Sequence, residues 1–125
     1  MPRHRRGWAM QRDLPGEERH SPLMASLVEP VLLLLLEHQP RHGYTLFSDL
    51  QSMGMGSLHQ SVVYRTLRDM EYLQWIVSDW DTDQTQGPPR RTYRLTEIGK
   101  TTLENWRSEL VQVNSFITEI LNMDK

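Results

Sequence analysis

The chain has 125 residues, 14 lysines and arginines against 16 aspartates and glutamates, a formal net charge of -2 and no cysteine. That length suffices for one domain whose core needs no disulfides. The missing cysteines exclude thiol catalysis and thiolate zinc sites, and the near-neutral charge excludes a polybasic binder working by bulk attraction, though not a local basic patch.

Residues 1–22 read as a basic N-terminal arm, carrying Arg3, Arg5, Arg6 and Trp8 and broken by Pro15-Gly16. A secretory start is not expected, because Asp13, Pro15, Glu17 and Glu18 intervene before the apolar run. The most apolar run, residues 31–36, is shorter than the roughly 20 residues that cross a bilayer. It reads as a core helix that starts near residues 28–30 and ends before Pro40. No membrane partner is expected, and the chain is read as cytoplasmic.

Gly43 opens a second helical segment with Leu46, Phe47 and Leu50 at helical spacing, and Met53-Gly54-Met55-Gly56-Ser57 makes a turn. A third helix is expected over residues 59–72, with Val63, Leu67 and Met70 as its buried stripe. Its opposite face carries Gln60, Ser61, Tyr64, Arg65 and Arg68. Residues 75–80 are expected to form a strand and residues 92–95 its partner. The polar loop between them, closed by Gly87-Pro88-Pro89, has the shape of a wing.

Thr96 is a fair N-cap for the last helix, with Glu97 well placed against its dipole. In that helix Leu103, Trp106, Leu110, Val113, Ile117 and Ile120 are spaced 3-4-3-4-3, the rhythm of a coiled coil. Val111, Phe116 and Leu121 widen the apolar face. The helix therefore either folds back on its own core or dimerises, and dimerisation is the expectation.

No metal site or cofactor is expected. Pro40 separates His38 from His42, and the run Asp79, Asp81, Asp83 lacks the glycine and glutamate that a calcium loop needs at its sixth and twelfth positions. No nucleophile elbow, phosphate loop or paired-carboxylate motif supports an enzyme.

The expected fold is mainly α, with a small β component. Helix, helix, helix, hairpin and helix in that order make a winged helix-turn-helix over residues 23–95 and a C-terminal dimerisation helix over 96–125. Pro40-Arg41-His42-Gly43-Tyr44, the stretch Val63-Tyr64-Arg65-Thr66-Leu67-Arg68-Asp69-Met70-Glu71, and the run from Gly87 through Arg90-Arg91-Thr92-Tyr93-Arg94-Leu95-Thr96 to Gly99 lie in order. Together they resemble the PadR family of transcriptional regulators, in its subfamily with a short single C-terminal helix. One departure is Gln74-Trp75-Ile76, where the family usually has Gly-Leu-Val. If Gln74 is left-handed there, it costs about 1 kcal/mol more than glycine.

The resemblance implies a homodimer on double-stranded DNA, a ligand-responsive repressor of an inverted-repeat operator. Gln60 and Ser61 would then read base edges from the third helix, with His59 as cap or contact. Arg65 and Arg68 would bind phosphates. For Tyr64 one reading, left open, packs its ring under the helix while its hydroxyl reaches a phosphate. Arg90 and Arg91 would serve from the wing's return, stiffened by Pro88 and Pro89, while Arg94 pairs with Asp79 or Asp81. Tyr44, Trp106, Leu110 and Val113 would line a pocket between protomers for a small aromatic or apolar effector, unless Trp106 simply fills the core. The rival reading is a winged-helix module that binds protein rather than DNA.

Overall fold

The Ser21 hydroxyl accepts the Leu23 and Met24 amides and so caps a one-turn helix, α1 (Pro22–Ala25). The computed structural model describes residues 21–81 and 90–123. Helix α2 (Val28–His38) follows, and Gln39 turns extended before Pro40, which disfavours a helical residue in front of it. Leu32, Leu33 and Leu36 are buried, so the apolar run becomes the centre of the core. No helix of the described residues is long and apolar enough to cross a membrane.

The extended residues after Pro40 form a two-residue strand, β1 (Arg41–His42). Helix α3 (Gly43–Ser52) buries Leu46 and Leu50, and helix α4 (Gln60–Tyr72) buries Val63, Leu67 and Met70. These three helices close around Leu32 and Leu33.

Strands β2 (Ile76–Trp80) and β3 (Arg91–Leu95) pair antiparallel from Ile76↔Leu95 to Trp80↔Arg91. The expected hairpin is therefore present, but the sheet has three strands in the order β1-β3-β2. Strand β1 adds Arg41↔Tyr93 and His42↔Thr92 on the free edge of β3. Trp75, expected to open β2, lies instead in the turn that ends α4. There Gln74 takes φ 68, the Trp75 amide reaches back to the Met70 carbonyl and the Gln74 amide to Glu71. This is the left-handed turn that glycine usually makes at a helix end, so the departure from the family pattern keeps the turn and bears its strain.

Helix α5 (Glu97–Asn122) is capped by Thr96, whose Oγ1 accepts the Gly99 amide. A Cβ at Gly99 would stand 2.1 Å from the Trp75 carbonyl oxygen, so glycine allows α5 to start hard against the α4–β2 turn. Leu103, assigned by the coiled-coil rhythm to a seam with a second chain, is instead 1% exposed in its own core. That position is corrected: the first turns of α5 complete this domain before any seam can begin. Further along, the Trp106 indole donates to Glu29 and Arg107 clasps Glu37 at 2.6 Å, tying α5 to α2. Beyond them Val111, Phe116, Ile120 and Leu121 stand exposed.

Candidate nucleic-acid interface

The buried stripe of α4 fixes what the helix shows to solvent. With Val63, Leu67 and Met70 fully inside, Gln60, Ser61, Arg65 and Arg68 are all exposed on one continuous strip. His59 occupies the N-cap position, but its imidazole makes no capping bond and is exposed at the helix start. The first-turn amides of α4 accordingly lack a side-chain acceptor, which favours anions near this end.

Tyr64 is half-buried and its ring lies against Gly43. A Cβ at Gly43 would stand 2.6 Å from Tyr64 Cε1 and 3.1 Å from its hydroxyl, so the missing side chain is what lets α3 and α4 meet there. The Tyr64 ring therefore packs against the start of α3.

On the wing, Arg91 has structural partners. Its guanidinium stands 4.7 Å from the centroid of the Trp80 ring and donates to Ser78 Oγ at 2.9 Å. Ser78 in turn donates to Glu71 at 2.7 Å, linking the wing to the last turn of α4. Rather than facing DNA with nothing else to hold, Arg91 braces the wing while remaining partly exposed. Arg90, just before it, is exposed. Arg94 pairs with Asp79 at 2.8 Å across the hairpin.

Asp81 pairs with a histidine and not with Arg94: His42 bonds it at 2.7 Å, and the Thr92 hydroxyl donates to its other oxygen. Those two hydrogen bonds, His42 first, hold its carboxyl below the ordinary range. The root of the wing is therefore pinned to β1. The wing tip with Pro88 and Pro89, the third aspartate Asp83 and the arm with Trp8 lie outside the described residues.

The residues read as an effector pocket sit in different places within one chain. Tyr44 is 66% exposed and lines a groove beside the wing with Tyr64, Tyr93 and Arg90. Trp106 is half-buried against α2, while Leu110 and Val113 lie further along α5. Sequence reasoning missed His42, Ser78, Glu71 and Tyr93 as parts of this region. Tyr93 stands in the motif after the wing, but its burial follows from its place on β3, the central strand between β1 and β2.

In comparison with known proteins, residues 31–105 match the model of the transcriptional regulator PadR-like family. No curated protein matches in sequence. Among solved structures, the chain is similar to a PadR-like transcriptional regulator of Bacillus cereus, with a TM-score of 0.72 and 22% identity over 81% of this chain and 97% of that one. A PadR family transcription regulator of Clostridium difficile gives 0.66 and 24% over 76% and 98%. A conserved protein of unknown function, described as a potential transcriptional factor, gives 0.68 and 30% over 82% and 90%.

Proposed function

The chain belongs to the transcriptional regulator PadR-like family, and from that premise we propose that it is a homodimeric, ligand-responsive repressor of an inverted-repeat operator. Helix α4 enters the major groove. Gln60 and Ser61 read base edges near its N-terminus, since an amide binds adenine in bidentate fashion and serine adapts to either role. His59 joins them as a contact. Arg65 and Arg68, further along, bind phosphates and set register, with Arg90 adding a contact from the wing. The observation that carries this reading is the outward strip of Gln60, Ser61, Arg65 and Arg68 opposite a fully buried stripe.

The second chain docks along α5. Trp106, Leu110, Val113, Ile117 and Ile120 form the seam, without Leu103. Val113 and Ile120 are 37% and 46% exposed in one chain, apolar area that a second copy would cover. Two α4 helices related by a two-fold axis then sit roughly 34–36 Å apart, one turn of DNA. A small aromatic or apolar effector, bound between protomers beside Trp106, changes that separation and weakens operator binding by preferring the other arrangement. Such a protein works in the cytoplasm, with the DNA it binds.

Selection from a pool of random duplexes by the purified full chain tests this reading. The expected result is enrichment of an inverted repeat whose half-sites are one helical turn apart. A pool that stays random after repeated rounds would sink the DNA reading and favour the protein-binding module.

A further inference from the structure

The charges of the chain divide near Ser21. Residues 21–125 carry 9 lysines and arginines against 13 aspartates and glutamates, out of 14 and 16 in the whole chain. Residues 1–20 therefore hold 5 arginines against 3 acids. Arg3, Arg5, Arg6 and Arg12 precede every acid, since Asp13, Glu17 and Glu18 all lie nearer the fold. Several cations of the fold itself are already engaged. Arg41 pairs with Asp49, Arg94 with Asp79 and Arg107 with Glu37. A DNA-binding chain draws affinity from the phosphates it neutralises, and the densest unopposed arginine in this one runs from Arg3 to Arg6.

Ser21 fixes where that segment joins the fold. Its hydroxyl accepts the Leu23 and Met24 amides and its carbonyl the Ala25 amide, which holds it at the start of α1. With Met24 and Ala25 it lines a small cleft whose other wall is Gly54, Met55, Ser57 and Leu58, the turn between α3 and α4. His59 and Gln60, at the base-reading start of α4, come next in the chain. The segment thus joins the fold beside the end of α4 that the DNA reading turns toward the duplex. From Arg6 to Ser21 the chain spans roughly 50 Å at full extension. The minor groove beside a major-groove site lies half a helical turn away, roughly 17 Å, well within that reach.

We propose that residues 3–6 enter the minor groove flanking each half-site, with Arg3, Arg5 and Arg6 as the contacts. The inference rests on the DNA reading above and extends the recognised sequence beyond the base pairs that α4 covers. A·T-rich flanks are preferred, because their narrow minor groove concentrates negative potential and no guanine amino group stands on its floor.

The test uses the full chain and the duplex recovered by selection. Because the chain has no cysteine, His4→Cys provides a single thiol for attaching an iron chelate that cuts nearby DNA. Cuts are expected in the flank of each half-site, displaced toward the 3′ side on both strands, the pattern of minor-groove cutting. Replacing Arg3, Arg5 and Arg6 together by glutamine is expected to weaken binding about tenfold or more at physiological salt. The log–log salt slope should become shallower by about two to three per protomer, with the melting temperature unchanged. Exchanging flanking A·T pairs for G·C should weaken the wild type but not the triple variant. Exchange for I·C, which keeps the minor-groove face of A·T, should leave both unaffected. If wild type binds the duplex and the triple variant binds equally well, the minor-groove contact is overturned while the DNA reading stands. Cuts spread evenly along the duplex overturn it too. A triple variant that sediments as a monomer where wild type is a dimer assigns the segment to a second copy, and again overturns it. Absence of duplex binding by wild type removes the DNA reading and this contact with it.

Discussion

Gln74 holds a backbone conformation that glycine holds at lower cost. Its φ of 68 closes α4 and aims the chain into β2, so the strain is built into the junction between the recognition helix and the wing. A left-handed residue other than glycine costs about 1 kcal/mol. Gln74→Gly is therefore expected to stabilise the fold by at most about 0.5 kcal/mol, after glycine's larger unfolded-state entropy is deducted. Thermal or urea unfolding checks it, and a lower midpoint would show that the Gln74 side chain supplies a compensating interaction. Arg91 teaches a related lesson at the same scale. An arginine beside a wing invites a DNA role; this one also stacks on Trp80 and donates to Ser78, contacts that hold the wing in place while leaving its side chain partly exposed.

Single elements differ in how plainly the sequence announces them. Helix α4 is legible because Val63, Leu67 and Met70 recur at helical spacing and because that stripe leaves only one face for Gln60, Ser61, Arg65 and Arg68. Strand β1 is not, since Arg41 and His42 are too few to show a period and are extended only through Pro40 and pairing with β3. The groove at Tyr93 depends on that third strand and is hidden with it. Helix α5 lies between these cases. Its 3-4 rhythm marks one apolar face, but rhythm does not say which neighbour covers each turn. The first turns pack on α2 and the wing root, burying Leu103, while the distal turns keep Phe116, Ile120 and Leu121 exposed. The seam proposed for a second chain therefore starts at Trp106. Leu110→Asp or Ile117→Asp would place a charge in that seam, and each is expected to give monomers by sedimentation while wild type runs at twice the chain mass. Variants that stay dimeric would refute the assignment of α5.

Across the whole molecule the near-zero net charge separates into regions. Arg65, Arg68 and Arg90 are exposed around α4 and the wing's return. Helix α5 carries the exposed acids Glu97, Glu104, Glu109 and Glu119 against Lys100 and Arg107. Among the described residues a single chain offers DNA few cations, and Asp79 and Asp81 at the wing are engaged by Arg94 and His42. Tight binding then requires two copies and directed contacts, so affinity for unrelated duplexes should be low. The salt dependence of binding to the selected duplex tests the central claim, that the exposed strip of α4 lies on DNA, most directly. The account predicts affinity that falls steeply with salt. In Arg65→Ala or Arg68→Ala the log–log slope should be shallower by about one for each phosphate that a protomer no longer neutralises. Affinity indifferent to salt, or slopes and affinities unchanged in both variants, would contradict it.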